Sequence, residues 1–288
     1  MSAHELLKTA LNQRYEKYIA ERKRCKEEFS EEAVHDLRIA ARRVLALIEL
    51  LRAVAPSPHL QKLRRAFKDQ LDSLDELRDI QVMLAEISET LETLPEFLPL
   101  QKFLQKREKR LLNSAEHDVR EFKAGFIAHR IEDIRTSLAE SETDQDLSAQ
   151  LLAVMDEACY TVTQRKKLVD PAQPSSIHRV RIAFKKFRYM LEIIYPMLPG
   201  FPEAHLKNMH SYQTAMGEIQ DVEVLLQTLD DFAASHEAYD KQPVQRFYKQ
   251  RHAELINTYI ENMHEFVTFW RETPEKAFPW EGKEKELP

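Results

Sequence analysis

The feature that most constrains this chain is an internal repeat. The segment VHDLRIAARRVLALIELL (34–51) lies over IHRVRIAFKKFRYMLEII (177–194), so that His35 falls on His178, Arg38 on Arg181, Arg42 on Lys185, Arg43 on Lys186 and Glu49 on Glu192. The offset is about half the chain, and the match continues downstream. LDELRDIQV (74–82) lies over MGEIQDVEV (216–224), which sets Asp79 on Asp221. FLQKREKRLL (103–112) lies over FYKQRHAELI (247–256), which sets Arg107 on Arg251. A chain that repeats itself in three segments is built from two copies of one supersecondary unit.

Each copy reads as four helices. The expected spans are 3–28, 32–54, 57–93 and 96–138 in the first half, and 146–168, 174–196, 202–236 and 241–271 in the second. Stop signals separate them: APSP at 55–58, Pro95 and Pro99, DPAQPSS at 170–176 and PMLPGFP at 196–202. Ser30 and Ser175 are expected N-caps, because a short hydroxyl side chain can accept from an orphan amide. The polar SETDQD (141–146) is the expected linker and EGKEKELP a frayed tail. Four glycines in 288 residues, with 31% charged residues, argue against a β-rich fold or a glycine-loop nucleotide site. The organisation expected is 1–140 as the first half, 147–272 as the second and 273–288 as a tail. The aromatic stretch FVTFWRETPEKAFPW either packs onto the body or makes a dimer contact.

Helical geometry sorts the repeated segment into two faces. At 100° per residue, Arg181, Lys185, Arg188, Tyr189 and Glu192 all fall within about 80° of His178, while Val180, Phe184, Phe187, Leu191 and Ile194 lie opposite. The first copy repeats this with His35, Arg38 and Arg42 against Leu37, Val44, Leu47 and Leu51. Solvated helix faces usually mix signs through i,i+4 pairs. Here the stripe is nearly all cation, it occurs twice, and it stands in a chain with 42 Lys+Arg against 48 Asp+Glu. Matching cations on other helices extend it: Arg65 with Lys207, Lys68 with His210, Lys102 with Arg246. Two such ridges facing one groove repel unless the site is solvated or an anion fills it. Asp79, Asp221 and Tyr189 are read as supporting partners that hold ridge cations in place.

VHDLRIAARR with LDELRDIQV, and IHRVRIAFKKFRY with GEIQDVEV, resemble the two halves of a CHAD domain, the conserved histidine α-helical domain. The resemblance covers about residues 3–272. It implies an all-α fold of two four-helix bundles related by a pseudo-two-fold axis, with a basic central groove or pore that binds inorganic polyphosphate without catalysis. Family members occur near polyphosphate metabolism and are often fused to triphosphate tunnel domains. No eight-stranded alternation or ExExK signature is present, so a stand-alone member is expected. The implied polyphosphate-binding positions are His35, Arg38, Arg42, Arg43, His178, Arg181, Lys185, Lys186 and Arg188, to which Arg65, Lys68, Lys207, His210, Arg107 and Arg251 are added from the matched ridges. The copies differ: Leu45 stands where the second has Arg188, Ala46 where it has Tyr189, and Gln220 where the first has Arg78.

Other classes fare less well. A metal-dependent phosphoanhydride enzyme needs carboxylates beside the phosphates, and the ridge offers only Glu49 and Glu192. Glu32-x-x-His35 has di-iron spacing, but its repeat mate is Ser175, so no second motif completes a metal site. Nucleic-acid binding wants stacking aromatics, and Tyr189 alone stands on the ridge. Cys25 and Cys159 lack CxxC spacing, which suits a reducing cytoplasm. The charged N-terminus is not a secretory signal, and no apolar run approaches a bilayer span. The expected partners are thus polyphosphate and granules of it in the cytoplasm, with no membrane, no nucleic acid and no cofactor.

Overall fold

The computed structural model describes residues 2–122, 124–140 and 144–281. Ten α-helices carry these residues: α1 Ala3–Glu28, α2 Glu31–Val54, α3 Pro58–Ser73, α4 Asp75–Thr90, α5 Leu98–Glu121, α6 Ala124–Glu140, α7 Asp144–Lys167, α8 Pro174–Ile194, α9 Glu203–Ala234 and α10 Gln242–Asn262. Short 3-10 turns at Pro95–Phe97, Tyr195–Met197 and Met263–Thr268 join or extend them, and there is no strand among the described residues. The all-helical expectation holds.

The helix starts follow local chemistry. Ser2 accepts from the Glu5 amide at 3.2 Å while the Glu5 carboxylate accepts from the Ser2 amide at 3.1 Å, a reciprocal box. Ser30 caps α2 through the Ala33 amide at 3.2 Å, as expected. Ser175 does not cap α8. Pro174, whose fixed φ suits a first helical position, starts the helix one residue earlier, behind Gln173. The neighbouring Ser176 ties the approach instead, with its hydroxyl accepting from the Asp170 amide and donating to the Asp170 carbonyl.

Two long helices expected in the first half are each broken. The 57–93 span divides at Leu74, whose amide turns back to the Leu71 and Asp72 carbonyls. The 96–138 span divides after Glu121, where Phe122 leaves helical geometry. Their second-half counterparts differ: α9 runs unbroken past the position equivalent to Leu74, and α10 ends at Asn262 in a 3-10 turn. The linker reading of 141–146 falls, for 141–143, outside the described residues; the chain is helical from Asp144. The tail beyond Glu281 also lies outside them.

The apolar faces gather into two cores. The larger joins α1, α2 and α3 to α7 and α8, through residues such as Leu7, Leu37, Leu47, Phe67, Met155 and Phe187. The smaller joins α4 and α5 to α9 and α10, through residues such as Ile87, Leu104, Leu229 and Tyr248. Both cores therefore draw on both sequence repeats. The aromatic stretch after α10 packs inward: Phe269, Trp270 and Trp280 are buried, Phe278 stacks on Trp280 with centroids 4.7 Å apart, and the Trp270 indole donates to Asp156 at 2.7 Å. No described helix is long and apolar enough to cross a membrane.

Candidate functional site

The two repeated helices, α2 and α8, pack against each other, and this places their cationic faces together. Arg38, Arg42 and Arg181 lie close enough to act on Lys185, and Arg38 and Arg181 act on Arg42 as well. Burial first, then Arg42, Arg181 and Arg38, push the Lys185 ammonium down to about 6, while Asp75 pulls the other way. Burial and the charge of Arg38 lower Arg42 to about 10, with Arg181 adding to the effect. Arg42 keeps 29% of its side chain exposed although protein surrounds it.

Arg38 is the anchored member. It is 4% exposed, donates from Nη1 to the Leu71 carbonyl at 3.0 Å, and places Nη2 2.5 Å from Asp75 Oδ1. In a continuous helix the Asp75 amide would take that Leu71 carbonyl. At the break the carbonyl accepts instead from the Leu74 amide and the guanidinium, and Asp75 stands beside Arg38 and Arg42. Among the described residues, Asp75 is the one carboxylate within ion-pair distance of the four cations; it stands 3.9 Å from Arg42 Nη2 as well.

Arg181, the repeat mate of Arg38, has no such partner. Its guanidinium passes over Gly217, where an added Cβ would meet Nε and Nη2 at 3.6 Å each. Its Nε is buried without a hydrogen-bond partner among the described residues, and so is Nδ1 of His178 one turn before it.

The two histidines flank the cluster. Burial, then Arg78, Arg38 and Arg42, lower His35, with Asp36 opposing. Burial, then Arg181, lower His178; Lys185 adds to this, while Glu223 and a hydrogen bond with Gln220 oppose. Both imidazoles are therefore neutral at pH 7, each with one N–H donor and one acceptor nitrogen. Burial raises the carboxyls of Asp79 and Asp221. The charge of Asp75 raises Asp79 further, and nearby arginines oppose the shift in both.

Residues 9–230 match the family model of the CHAD domain. The chain belongs to the CHAD-domain family. It is similar to a solved structure, the crystal structure of the CHAD domain from the plant Ricinus communis, with a TM-score of 0.69 and 18% identity over 93% of this chain and 90% of that one. A search of curated proteins gives no match.

Within this CHAD domain the remaining ridge residues scatter. Arg43 reaches Glu192 at 3.4 Å, so one ion pair ties α2 to α8. The same carboxylate holds Arg188 at 2.7 Å, and Arg188 also donates to Gln213 at 2.9 Å. Arg188 and Tyr189 are buried, the guanidinium resting 4.6 Å over the tyrosine ring. Both sit at the margins of the cationic stripe, where the α8 interface is wide enough to cover them. Lys186 and Lys68 are exposed, as is His210 on α9. Arg65 lines a groove with Asp118, Phe122 and Phe126 between α3, α5 and α6, which no cluster residue borders. Lys207 lines an open groove with Arg14, Lys17, Arg43 and Glu192. Arg107 pairs with Glu76 at 2.5 Å on the surface of α5. Arg251 pairs with Glu86 in a recess of about 220 Å³ between α4, α9 and α10, which Glu218 and Asp221 also line. That recess is too rich in carboxylates to attract an anion.

Asp75, rather than Asp79, holds a ridge cation. Asp79 and Asp221 make no ion pair within 4.0 Å among the described residues. Arg14 also joins the cationic region unannounced: it donates to the Arg43 carbonyl at 3.2 Å, and burial lowers it to about 10. No repeat mate marks it, since Glu157 stands at the matching place. No group of three or more metal-ligating side chains occurs among the described residues.

Proposed function

We propose that this CHAD domain binds inorganic polyphosphate, without catalysis, in the cleft where α2 and α8 meet. The observation that carries this reading is the gathering of Arg38, Arg42 and Arg181 about the half-buried Lys185, which burial first and then those three charges lower to about 6. Three arginines crowded about a lysine that is largely uncharged at pH 7 gain from an anion, which relieves their repulsion and restores the lysine's charge. Polyphosphate suits the arrangement: it carries about one charge per phosphate, its oxygens accept arginine's forked donors, and its flexible chain follows a groove. The repeat supports a pseudo-two-fold arrangement of two four-helix halves about this cleft, with the same cationic helix offered from each side. The cysteine usage and the ligand together favour a cytoplasmic protein, associated with polyphosphate granules.

The nucleic-acid alternative loses its one stacking candidate, because Tyr189 is buried under Arg188. The phosphoanhydride-hydrolysis alternative is supported less, since no group of three or more metal-ligating side chains occurs among the described residues.

The test is a titration of the full chain with long-chain sodium polyphosphate at two salt concentrations, with Arg181→Gln/Lys185→Gln alongside. Binding should weaken steeply with salt through counterion release. The double variant should lose roughly a hundredfold in affinity, about 1.4 kcal/mol for each lost contact. Phosphate release, with or without magnesium, should be absent. Equal affinity in a folded double variant rules the cleft out.

A further inference from the structure

Each copy brings two basic side chains to this region, Arg38 and Arg42 from one and Arg181 and Lys185 from the other, but among the described residues only the first brings a carboxylate within ion-pair distance of them. Asp75 is the first residue of α4; its side chain is 49% exposed and contacts Arg38 at 2.5 Å. Its charge also favours the protonated forms of Arg42 and Lys185. In the repeat alignment Asp75 falls on Gly217. The coordinates agree with that alignment: Arg181 passes over Gly217 as Arg38 lies beside Asp75. Among the described residues, neither Arg181 nor Lys185 has a carboxylate within ion-pair distance.

We propose that Asp75 is a built-in counter-anion of the cleft, occupying on Arg38 the seat that a phosphate group takes when ligand binds. An incoming polyanion then first engages the Arg181–Lys185 side, where no described carboxylate stands within ion-pair distance, and displaces Asp75 to reach the other. This deepens, and rests on, the reading of the cleft as a polyphosphate site. Carboxylate and phosphate compete for the same guanidinium because both present oxygen acceptors at matching spacing. The exchange is accessible because Asp75 is half open to water and stands at a helix start beside a break, so its side chain can swing into solvent. Until then it lowers the repulsion around the buried Arg38. The consequence is discrimination by length. A short anion is satisfied on the open side, whereas a long chain has enough phosphates to take the second seat as well.

The experiment titrates long-chain sodium polyphosphate into four full-length proteins at fixed low salt: wild type, Asp75→Asn, Gly217→Asp and the double variant. Asparagine keeps the shape and hydrogen bonding of Asp75 without its charge. Aspartate at Gly217 gives Arg181 the partner it lacks. An added Cβ there makes only ordinary contacts with Arg181, so the helix accepts it. Asp75→Asn should tighten binding about tenfold and Gly217→Asp should weaken it about tenfold, the effect of one charge close to a solvated ligand. The double variant should return near the wild type. Weaker binding in Asp75→Asn would make Asp75 a brace for Arg38 and overturn the proposal, as would Gly217→Asp binding like the wild type. If Gly217→Asp does not fold, as judged by circular dichroism, the direction of the Asp75→Asn effect decides alone. A wild type that shows no saturable binding refutes the polyphosphate reading instead.

Discussion

The first repeat meets the cleft with an arginine that is held, and the second with one that is loose. Arg38 is buried, donates to the Leu71 carbonyl and pairs with Asp75, two partners that flank the helix break at Leu74. Arg181 lies over a glycine in an unbroken helix, its Nε unpartnered among the described residues. The same residue in the same repeat position therefore does two jobs. The difference teaches that duplicated charge is not duplicated function: the neighbour across the helix pair decides whether a cation supports the fold or is free for a ligand.

The largest expected effect separates the two arginines by stability. Arg38→Met should lower unfolding free energy by about 2 kcal/mol, since it removes two hydrogen bonds made by a buried charge. Arg181→Met should fall within about 0.5 kcal/mol of the wild type, because it breaks no pair. Urea melts of both variants measure this, and equal losses would erase the distinction.

Lys185 sharpens the comparison from the second repeat. Its pKa is depressed to about 6 from 10.5, so between those values the unfolded chain binds more protons than the folded one. Ligand-free stability should be lowest below about pH 6 and rise as pH climbs toward 10.5. Lys185→Met should flatten that rise and stabilise the ligand-free protein at pH 7 by on the order of 1 kcal/mol. Thermal melts across pH give both readouts, and an unchanged pH slope in the variant would remove Lys185 from the cluster.

Ligand affinity should move the opposite way with pH. A bound anion raises the depressed pKa values of Lys185, His35 and His178, so binding takes up protons. Polyphosphate affinity should increase roughly tenfold for each proton taken up per unit fall in pH, between about pH 8 and 6. Calorimetry in buffers of different ionisation enthalpy counts those protons, and zero uptake would separate the ligand from the cluster.

The smallest effect belongs to Gly217→Ala. Alanine in the middle of α9 should stabilise the chain by about 0.5–1 kcal/mol, because glycine costs helix entropy and the new methyl meets Arg181 at ordinary contact distance. A destabilised variant would show that Arg181 is pinned more tightly than its lack of a partner implies.

Most of the helical layout, and the grouping of basic side chains on α2 and α8, were legible in the sequence because both are periodic. A 3.6-residue apolar stripe reports which face of α2 and α8 is buried, and a repeat reports which cations correspond. That is why Arg38, Arg42, Arg181 and Lys185 were legible. The break at Leu74 was not, since neither glycine nor proline marks it; it becomes visible only when Arg38 competes for the Leu71 carbonyl. Asp75 was hidden because its repeat mate is Gly217, whereas Asp79 stood out through its correspondence with Asp221. Arg188 and Tyr189 were misplaced for a related reason. An ideal wheel gives an angle but not the breadth of the interface, and α8 is covered on more of its circumference by α7, α9 and α2 than one stripe suggests. Arg65, Arg107 and Arg251 were carried in by repeat correspondence, which fixes sequence register but says nothing about which way a distant helix turns.

The two cores, each assembled from both repeats, bear on how such a chain is made. Neither repeat owns a finished interior: α4 and α5 wait for α9 and α10, and α1, α2 and α3 wait for α7 and α8. A ribosome that has released only the first repeat has produced an oily surface without a lid. The simplest cover for a solitary repeat is another copy of itself, so the ancestor of this architecture makes sense as a homodimer whose single gene was duplicated and fused.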